Sequence, residues 1–301
     1  MTTRVRIIEV GPRDGLQNEP DPIPSARKIE LIDRLAHTGL EWIEATSFVS
    51  PKAVPQLADA ADVMSGISRR SGVTYPVLVP NERGYEHAVA AGATHVSVFT
   101  AASESFAAAN INATIAESIE RFVPILQRAE RDGVTVRAYV STAWGCPFSG
   151  PVMAESVRDT CERLVAIGVR ELSLGDTIGV ATPSEIAPVA APIIELVGDP
   201  SRVGLHLHDT RGTALANAWA GLQMGITTFD SSISGLGGCP FAPGATGNLA
   251  TEDLVWMLHR EGYDTGIDLE ALVDVSRWIS ASMDRQPASH VARARIWPWT
   301  T

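Results

Sequence analysis

The feature of the sequence that most restricts the fold is a regular alternation of short apolar runs with longer helical patterns. Eight runs are rich in β-branched and aromatic residues, and the stretches between them are long enough for a helix and two loops. Parallel strands require such crossovers, because a parallel pair cannot be joined by a tight hairpin. The predicted strands span residues 5–10, 42–46, 74–79, 95–100, 135–141, 171–174, 203–208 and 227–233.

Eight strand–helix units are the number that closes a parallel sheet into a barrel, whereas an open doubly wound sheet usually has fewer. We therefore predict a (β/α)8 barrel, the TIM-barrel fold, built by a single domain over residues 1–301. Residues 268–301 are predicted to add a C-terminal helical extension, and Pro124 to kink a helix that begins near residue 115. Because chemistry in such barrels occurs at the carboxyl ends of the strands, the polar residues that follow each run are the candidate functional residues.

The composition restricts the partners of the chain. Its 24 lysines and arginines against 35 aspartates and glutamates give a net charge of −11, which argues against a general nucleic-acid or anionic-membrane surface. The three cysteines form no repeated framework and cannot all pair, so we expect a reducing compartment. No apolar run reaches membrane-spanning length, and the first residues resemble a strand rather than a signal segment. A cytoplasmic location is the prediction.

The first predicted strand ends in a turn that places two opposite charges side by side. Gly11 and Pro12 interrupt the strand, and Arg13 and Asp14 follow at the predicted mouth of the barrel. A carboxylate beside a fixed cation suits a site that binds a metal and stabilises an anion. The alternative is a surface turn with an ordinary ion pair, and this segment alone leaves both interpretations open.

Two histidines end the seventh predicted strand. His206 and His208 are two residues apart, so their side chains share one face of the strand. Two imidazoles on one face at the end of a strand are typical of metal ligands, with Asp209 following as a helix cap or as support for a ligand. A single histidine would more often be an ordinary core or surface residue, whereas the pair favours a metal site.

Residues 235–248, after the eighth predicted strand, are predicted to be a mobile glycine-rich loop at the active site. Cys239 lies in the middle of this loop, and a thiol outside a helix or strand is a candidate for chemistry rather than packing. Asn248 could offer its amide oxygen to a metal, although by itself it is more simply a helix cap.

Other residues at strand ends carry weaker signals. Glu44 and Ser47 follow the second strand and Asp176 follows the sixth, and each could support the site or simply cap a neighbouring element. Cys146 and Cys161 are predicted to be structural. The sequence has no phosphate-binding glycine motif, paired-cysteine motif or nucleophile elbow, so we predict no nucleotide or flavin cofactor, no structural zinc and no serine hydrolase.

Taken together, these motifs resemble the 3-hydroxy-3-methylglutaryl-CoA lyase family. The resemblance extends along nearly the whole chain and is densest at residues 9–19, 43–56, 173–182, 208–224 and 231–253. The Arg-Asp pair and the His-x-His strand are shared with a wider group of metal-dependent barrel enzymes. The glycine loop with its cysteine narrows the resemblance to the lyases.

The resemblance implies a divalent cation, Mg²⁺ or Mn²⁺, and roles for several site residues. Mixed carboxylate, imidazole and amide ligands suit a hard cation better than zinc held by thiolates. Arg13 would lie over the thioester carbonyl of an acyl-CoA substrate, and Cys239 would transfer a proton from a closing loop. The implied metal ligands are Asp14, His206, His208 and Asn248, the further catalytic residues are Glu44 and Asp176, and the candidate substrate contacts are Gln17, Ser47 and Arg211.

The implied reaction is a retro-Claisen cleavage that yields acetyl-CoA and, from 3-hydroxy-3-methylglutaryl-CoA, acetoacetate. The C3 hydroxyl must lose its proton, and His206 is the first choice of base. Arg13, which is always cationic, would stabilise the thioester enolate, and Cys239 would protonate its carbon. The resemblance also suggests a homodimer and a setting in leucine degradation.

One departure from the family bears on the substrate. Arg211 stands where the lyases commonly have a tyrosine, and an additional cation there could meet a further carboxylate or simply lie on the surface. A first alternative is therefore a lyase for citramalyl-CoA or for a longer branched 3-hydroxyglutaryl-CoA. A condensing synthase of the wider group and a barrel without catalytic activity are the remaining alternatives.

Overall fold

The computed structural model describes residues 2–238 and 247–294 of the chain, and within them eleven strands. Nine strands form one sheet in the order β2-β1-β11-β10-β9-β6-β5-β4-β3, and all their pairings are parallel. The strands are β1 (Arg6–Glu9), β2 (Trp42–Ile43), β3 (Thr46–Ser47), β4 (Val77–Leu78), β5 (His95–Ala101), β6 (Thr135–Ser141), β7 (Gly145–Cys146), β8 (Gly150–Pro151), β9 (Glu171–Asp176), β10 (Val203–Leu207) and β11 (Thr228–Ser231).

The two ends of this sheet meet in the segment 42–47, which closes the barrel. β2 pairs with β1, whereas β3, two residues further along, pairs with β4. The N–H of Glu44 donates to the carbonyl of Glu9, and the next N–H, of Ala45, donates to the carbonyl of Pro76. The predicted strand 42–46 is thus one barrel strand that changes partner in its middle. The predicted barrel is confirmed, and β7 and β8 form a separate antiparallel hairpin.

Helices follow the barrel strands and cover the outside. They are α1 (Ser25–Leu35), α2 (Ala60–Gly66), α3 (Glu82–Ala90), α4 (Glu104–Ile111), α5 (Ile115–Glu120), α6 (Val123–Asp132), α7 (Ala154–Ala166), α8 (Pro183–Val197), α9 (Ala214–Leu222), α10 (Thr251–Arg260), α11 (Leu269–Ser282) and α12 (His290–Arg293). In the part of the chain that the structure describes, no helix has the length and apolar character needed to cross a membrane.

Pro124 does not kink a helix, contrary to the prediction. α5 ends at Glu120, and α6 begins at Val123 with Pro124 in its first turn. A proline costs little there, because the first N–H groups of a helix have no partner within the helix. The chain therefore makes two short helices where the apolar stripe predicted one.

The core lies between the sheet and its helices. α1 shows how the pattern specifies the packing: Leu31, Ile32 and Leu35 recur at helical spacing, and all three are fully buried. The additional C-terminal helices are present as α11, whose first N–H groups Asp268 caps, and α12. Both pack against α10, so they extend the helical layer rather than form a separate core.

Candidate metal centre and active-site cavity

The segment after β1 carries the first two candidate residues, Arg13 and Asp14. A π-helical turn spans Gly11–Gly15, and the N–H of Asp14 donates to the carbonyl of Val10 at 2.7 Å. A Cβ added at Gly11 would lie only 2.6 Å from Oε1 of Glu9, so a side chain would force the turn away from the strand. The glycine allows the turn to pack at the end of β1, where Arg13 and Asp14 are both buried.

His206, near the end of β10, and His208, just beyond it, lie beside Asp14. Their Nε2 atoms are 3.3 Å apart, and Nε2 of His206 is 3.9 Å from Oδ2 of Asp14. One ligand atom from each of the three residues lies within 4.8 Å of the others. All three residues are less than a tenth exposed. Three potential ligand atoms at this spacing can bind a single cation, which is the convergence that the two sequence motifs predict.

Asn248 lies against the same group. Its backbone forms an isolated antiparallel bridge with His208, and its Nδ2 donates to Oδ2 of Asp14 at 2.8 Å and to the carbonyl of Leu236. Oδ1 of Asn248 is buried without a hydrogen-bond partner among the described residues. Asn248 does not cap α10, which begins three residues later behind Ala250. The amide thus contacts Asp14 through its nitrogen, and its oxygen, which has no donor among the described residues, is available to a cation.

The Arg13 guanidinium is held by two carboxylates. Its Nε donates to Oε2 of Glu44 at 2.6 Å, and its Nη1 donates to Oδ1 of Asp14 at 2.5 Å. Oε1 of Glu44 accepts from the hydroxyl of Tyr139 at 3.2 Å, and Gln17 donates from Nε2 to Oδ1 of Asp14 at 3.0 Å. Glu44 therefore orients Arg13 rather than facing the cavity itself.

The titratable groups of this cluster influence one another. Burial alone would raise the pKa of Asp14, but the Arg13 guanidinium and the two imidazoles outweigh burial and lower this pKa below its usual value. Burial alone would lower the pKa of His206, but the carboxylates of Asp230 and Asp14 raise it. Burial and the neighbouring His206 lower the pKa of His208 to about 4. His208 is consequently neutral at physiological pH, and neutral imidazole is the form that binds metals.

Behind His206 lies a group of charged residues that our sequence reasoning missed. Asp230 of β11 is the register partner of His206 across the parallel pair β10 and β11. It accepts from Nη1 of Arg137 and from the hydroxyl of Ser173, each at 2.7 Å, and all these residues are buried. The available signal was a charged residue inside an apolar strand, which is unusual unless a partner neutralises it.

A cavity of about 900 Å³ opens beside the cluster. Arg13, Asp14, His206 and His208 lie in its wall. The wall also carries Gln17, which contacts Asp14, and further polar side chains, namely Asn18, Asn81, Asn110, Asn112 and Arg121. Ligand cavities of this volume hold extended molecules, and polar groups at intervals can orient such a ligand.

Three predicted site residues make other contacts. The hydroxyl of Ser47 donates to the carbonyl of Leu78. The carboxylate of Asp176 accepts the N–H groups of Val180 and Ala181, and thus fixes the loop after β9. Arg211 is exposed, and its Nη1 donates to the carbonyls of residues 178 and 179. The structure does not bring these side chains to the ligand atoms, because backbone groups occupy them.

Cys239 lies outside the described residues, as does the rest of the segment 239–246. Gly238, the residue before it, lies in the cavity wall, and its carbonyl accepts from Nδ2 of Asn18 at 2.9 Å. Gly247, after the segment, accepts the N–H of Asp209. Cys146 and Cys161, by contrast, are buried, as the sequence predicts for structural cysteines.

The fold and the cluster define a class of protein: a (β/α)8 barrel with a candidate divalent-metal centre at the carboxyl ends of its strands. Carboxylate, imidazole and amide donors fit a hard or borderline cation, and the orphaned oxygen of Asn248 is consistent with this. A family profile described as HMGL-like matches residues 4–279. The chain belongs to the 3-hydroxy-3-methylglutaryl-CoA lyase family.

Individual relatives agree with this assignment. The chain is 50% identical to the mitochondrial hydroxymethylglutaryl-CoA lyase of Rattus norvegicus, over 97% of this chain and 89% of the relative. The crystal structure of hydroxymethylglutaryl-CoA lyase from Pseudomonas aeruginosa superposes with a TM-score of 0.93 and 48% identity, covering 97% of both chains. A lyase structure from Acinetobacter baumannii, in complex with coenzyme A and 3-methylmalate, gives a TM-score of 0.92 and 39% identity, covering 96% of this chain and 94% of that one.

Proposed function

We propose that this chain is a divalent-cation-dependent carbon–carbon lyase that cleaves 3-hydroxy-3-methylglutaryl-CoA into acetyl-CoA and acetoacetate. The observation that carries the proposal is the cluster of Asp14, His206 and His208 beside Arg13 in the wall of a large cavity. This cluster occurs in a chain that is half identical to enzymes named for this reaction.

Asp14, His206, His208 and Asn248 would hold the cation, which we propose to be Mg²⁺ or Mn²⁺. Three of these residues already bring ligand atoms together, and the fourth contacts Asp14 through Nδ2 and has an amide oxygen without a donor among the described residues. When bound, such a cation supplies a Lewis acid that makes the C3 hydroxyl of the substrate more acidic.

The base that receives the hydroxyl proton is better assigned to Asp14 than to His206. A neutral imidazole has one lone pair, so His206 cannot bind a cation and accept a proton at the same time. Its Nε2 lies with the other ligand atoms, which favours the ligand role. A carboxylate has several lone pairs, and Asp14 is therefore the member of this cluster that can contact a cation and still accept a proton.

Arg13 would stabilise the negative charge that reaches the thioester oxygen as the carbon–carbon bond breaks. Its guanidinium is fixed by Glu44 and Asp14, so no reorganisation is needed when the charge develops. Burial alone would lower the pKa of Arg13, but the carboxylates of Glu44 and Asp14 outweigh burial and raise it, so the guanidinium remains cationic. Glu44 and Tyr139 act by holding this guanidinium in place.

Protonation of the enolate carbon would require an acid near the cavity, and Cys239 remains our proposal for it. Gly238 lies in the cavity wall directly before this residue in the chain. The proposed role of residues 235–248 is to cover the site and exclude water from the enolate. Replacing Cys239 by serine tests this assignment, since an enolate that is protonated slowly should lower the cleavage rate without loss of cation binding.

The size and lining of the cavity support the proposal that the substrate is an acyl-CoA. Its volume of about 900 Å³ is large enough for a pantetheine arm. The side chains of Asn110, Asn112 and Arg121 in its wall can form polar contacts with such a ligand. A relative of known structure binds coenzyme A together with a small dicarboxylate. We propose that coenzyme A occupies the same cavity here, with the acyl group directed at the ligand cluster.

The decisive experiment is an assay of the purified chain with 3-hydroxy-3-methylglutaryl-CoA, before and after treatment with a chelator. Activity should disappear with the chelator and return with Mg²⁺ or Mn²⁺, while an Asp14→Asn variant should stay inactive after metal is restored. Asp253→Asn, a matched change of a buried carboxylate at the start of α10, should remain active. Cleavage of citramalyl-CoA or a longer branched thioester in preference to this substrate would favour the alternative lyases. Unchanged activity in the chelator would contradict the proposal.

We also propose that the chain forms a homodimer in the cytoplasm and that leucine degradation is its setting. Two large aromatic side chains, Trp219 of α9 and Trp256 of α10, are more than a third exposed on neighbouring helices. Exposed aromatics of this size commonly mark a protein interface. Light scattering tests the assembly: Trp256→Glu should yield a monomer if this surface is the contact.

A further inference from the structure

The side of His206 that faces away from the ligand cluster points at a carboxylate. Nδ1 of His206 lies 3.4 Å from Oδ2 of Asp230, so the two groups are in close contact without forming a hydrogen bond, and this Nδ1 has no hydrogen-bond partner within the described residues. The two residues are register partners on neighbouring strands, so the sheet itself sets their separation. Asp230 is almost completely buried.

Asp230 is itself held on both oxygens. Its Oδ1 accepts from Nη1 of Arg137, and its Oδ2 accepts from the hydroxyl of Ser173, each at 2.7 Å. The Nη1 group of Arg137 also donates to the hydroxyl of Tyr139 at 3.3 Å. These contacts fix the plane of the Asp230 carboxylate, with its Oδ2 3.4 Å from Nδ1 of His206.

His208 differs from His206 in this respect. Nδ1 of both imidazoles is buried and forms no hydrogen bond within residues 2–238 and 247–294, but Nδ1 of His208 has no carboxylate oxygen beside it there either. The two imidazoles therefore share the ligand cluster, but only His206 has a carboxylate behind it. A carboxylate cannot donate a proton when ionised, so it accepts from whichever nitrogen of the facing imidazole carries the hydrogen.

We propose that Asp230, held by Arg137 and Ser173, is a positioning residue that keeps the proton of His206 on Nδ1 and so reserves the Nε2 lone pair for the cation. The benefit to cation binding rests on the proposed function, because it requires the proposed cation site. The position of the proton on His206, by contrast, can be measured in the metal-free protein. An imidazole whose tautomer is fixed in advance binds a cation without first moving a proton. His206 is thereby excluded as the base for the substrate hydroxyl.

The first measurement is nuclear magnetic resonance of metal-free protein labelled with ¹⁵N at histidine, at alkaline pH where the imidazoles are neutral. The signals of His206 are assigned by their loss in His206→Gln. We expect Nδ1 of His206 to be protonated in the wild type and Asp230→Asn to shift most of the population to the Nε2 tautomer. The tautomer of His208 should not change, since Asp230 does not face it.

The second measurement is Mn²⁺ affinity by electron paramagnetic resonance. Loss of a carboxylate behind a metal-binding histidine weakens metal affinity by about 10–100-fold, and we expect Asp230→Asn to fall in this range. Ser173→Ala removes one of the two contacts that fix Asp230, so it should shift the tautomer partly and weaken affinity by a smaller factor. Asp253→Asn, the matched control in another buried carboxylate, should change neither readout even if it lowers thermal stability.

The outcomes separate the two proposals. A wild type that binds no Mn²⁺ but whose His206 tautomer depends on Asp230 contradicts the cation site and leaves the positioning role standing. Asp230→Asn protein with Nδ1 still protonated and Mn²⁺ affinity within about twofold of the wild type overturns the positioning role. If Asp230→Asn does not fold, Ser173→Ala decides, and an unchanged tautomer in that variant overturns the inference.

Discussion

The two mouths of the barrel use the same residue types in different ways. At the amino-terminal mouth, Arg6 pairs with Glu171 at 2.8 Å, and both side chains are about a quarter exposed. At the carboxyl-terminal mouth, Arg13 pairs with Asp14 and Glu44, and these side chains are at most 12% exposed. The first set of ion pairs borders a cavity of about 300 Å³, the second a cavity of about 900 Å³.

The two mouths differ in whether the polar atoms near their ion pairs have hydrogen-bond partners. Around Arg13 the structure leaves buried groups without hydrogen-bond partners in the described chain, namely Nδ1 of His206, Nδ1 of His208 and Oδ1 of Asn248. An unpaired buried polar atom costs stability unless a ligand or a water supplies the missing contact. Around Arg4 at the other mouth, the arginine is satisfied by Glu41 and Asp264. Charge alone therefore does not distinguish the two mouths, whereas the grouping of buried potential ligand atoms beside the ion pairs does.

The largest difference between buried ion pairs and exposed ion pairs should be in the free energy of unfolding. Arg137→Ala leaves the carboxylate of Asp230 buried without its cation, and breaking a buried pair costs about 3–5 kcal/mol. Arg4→Ala removes exposed pairs, whose loss costs about 0–1 kcal/mol. Urea denaturation of both variants measures the free energies of unfolding. Similar losses in both variants would show that burial does not separate the two kinds of pair.

The next largest effect should be on turnover. Arg13→Lys keeps the charge but loses the fork that contacts both carboxylates, and we expect kcat to fall by about 10²–10³, the usual effect of losing one group that stabilises an oxyanion. Arg6→Lys is the matched change at the opposite mouth and should leave kcat within about twofold. Acetoacetate formation measures both. A comparable fall in Arg6→Lys would contradict the assignment of chemistry to one mouth.

The two mouths should also differ in the sign of their pH dependence. Burial raises the pKa of Glu9, at the end of β1, to about 7, although the contacts from Thr251 and two N–H groups oppose the rise. The folded chain keeps a proton that the unfolded chain releases, so this group destabilises the fold as pH rises from about 4.5 to about 7. Glu9→Gln should remove a loss on the order of 3 kcal/mol over this range, measured by denaturation at several pH values.

Asp264, at the opposite mouth, provides the comparison for Glu9. Its hydrogen bond from Arg4 lowers the pKa of Asp264, so its contribution to stability is present above its usual pKa and is lost as pH falls. Asp264→Asn should therefore reduce stability at neutral pH and leave it unchanged in acid. If Glu9→Gln and Asp264→Asn changed the free energy of unfolding with the same pH dependence, the proposed difference between the two mouths would be wrong.

The smallest effect concerns Arg211, a cation at the carboxyl-terminal side whose hydrogen bonds within the described residues go to backbone carbonyls. Because its Nη1 donates to the carbonyls of residues 178 and 179, Arg211→Ala should change kcat/KM by less than about twofold and stability by up to about 1 kcal/mol. A tenfold rise in KM for the thioester would instead show that Arg211 contacts the substrate, as the sequence comparison with tyrosine-bearing lyases left open.

Much of the fold could be predicted because its signals are local. Alternation of apolar runs with helical patterns predicts a barrel, and a spacing of two along a strand places His206 and His208 on one face. The interrupted strand before Arg13 likewise shows where the chain turns at the mouth. Pro124 was misjudged because the same proline can kink a long helix or begin a new one, and the sequence does not say which.

The sequence by itself determined most of the barrel strands and helices and which of their faces are apolar, because both follow from neighbouring residues. Only the tertiary structure decided which partner each polar side chain finds. Asp230 and Arg137 are 93 residues apart, and they meet because the register of the barrel strands brings their side chains together inside it. Asp176 ends its strand as the metal-site candidates do, yet two loop N–H groups occupy its carboxylate. Strand register and loop path are set by the closure of the whole barrel, and no local pattern contains them.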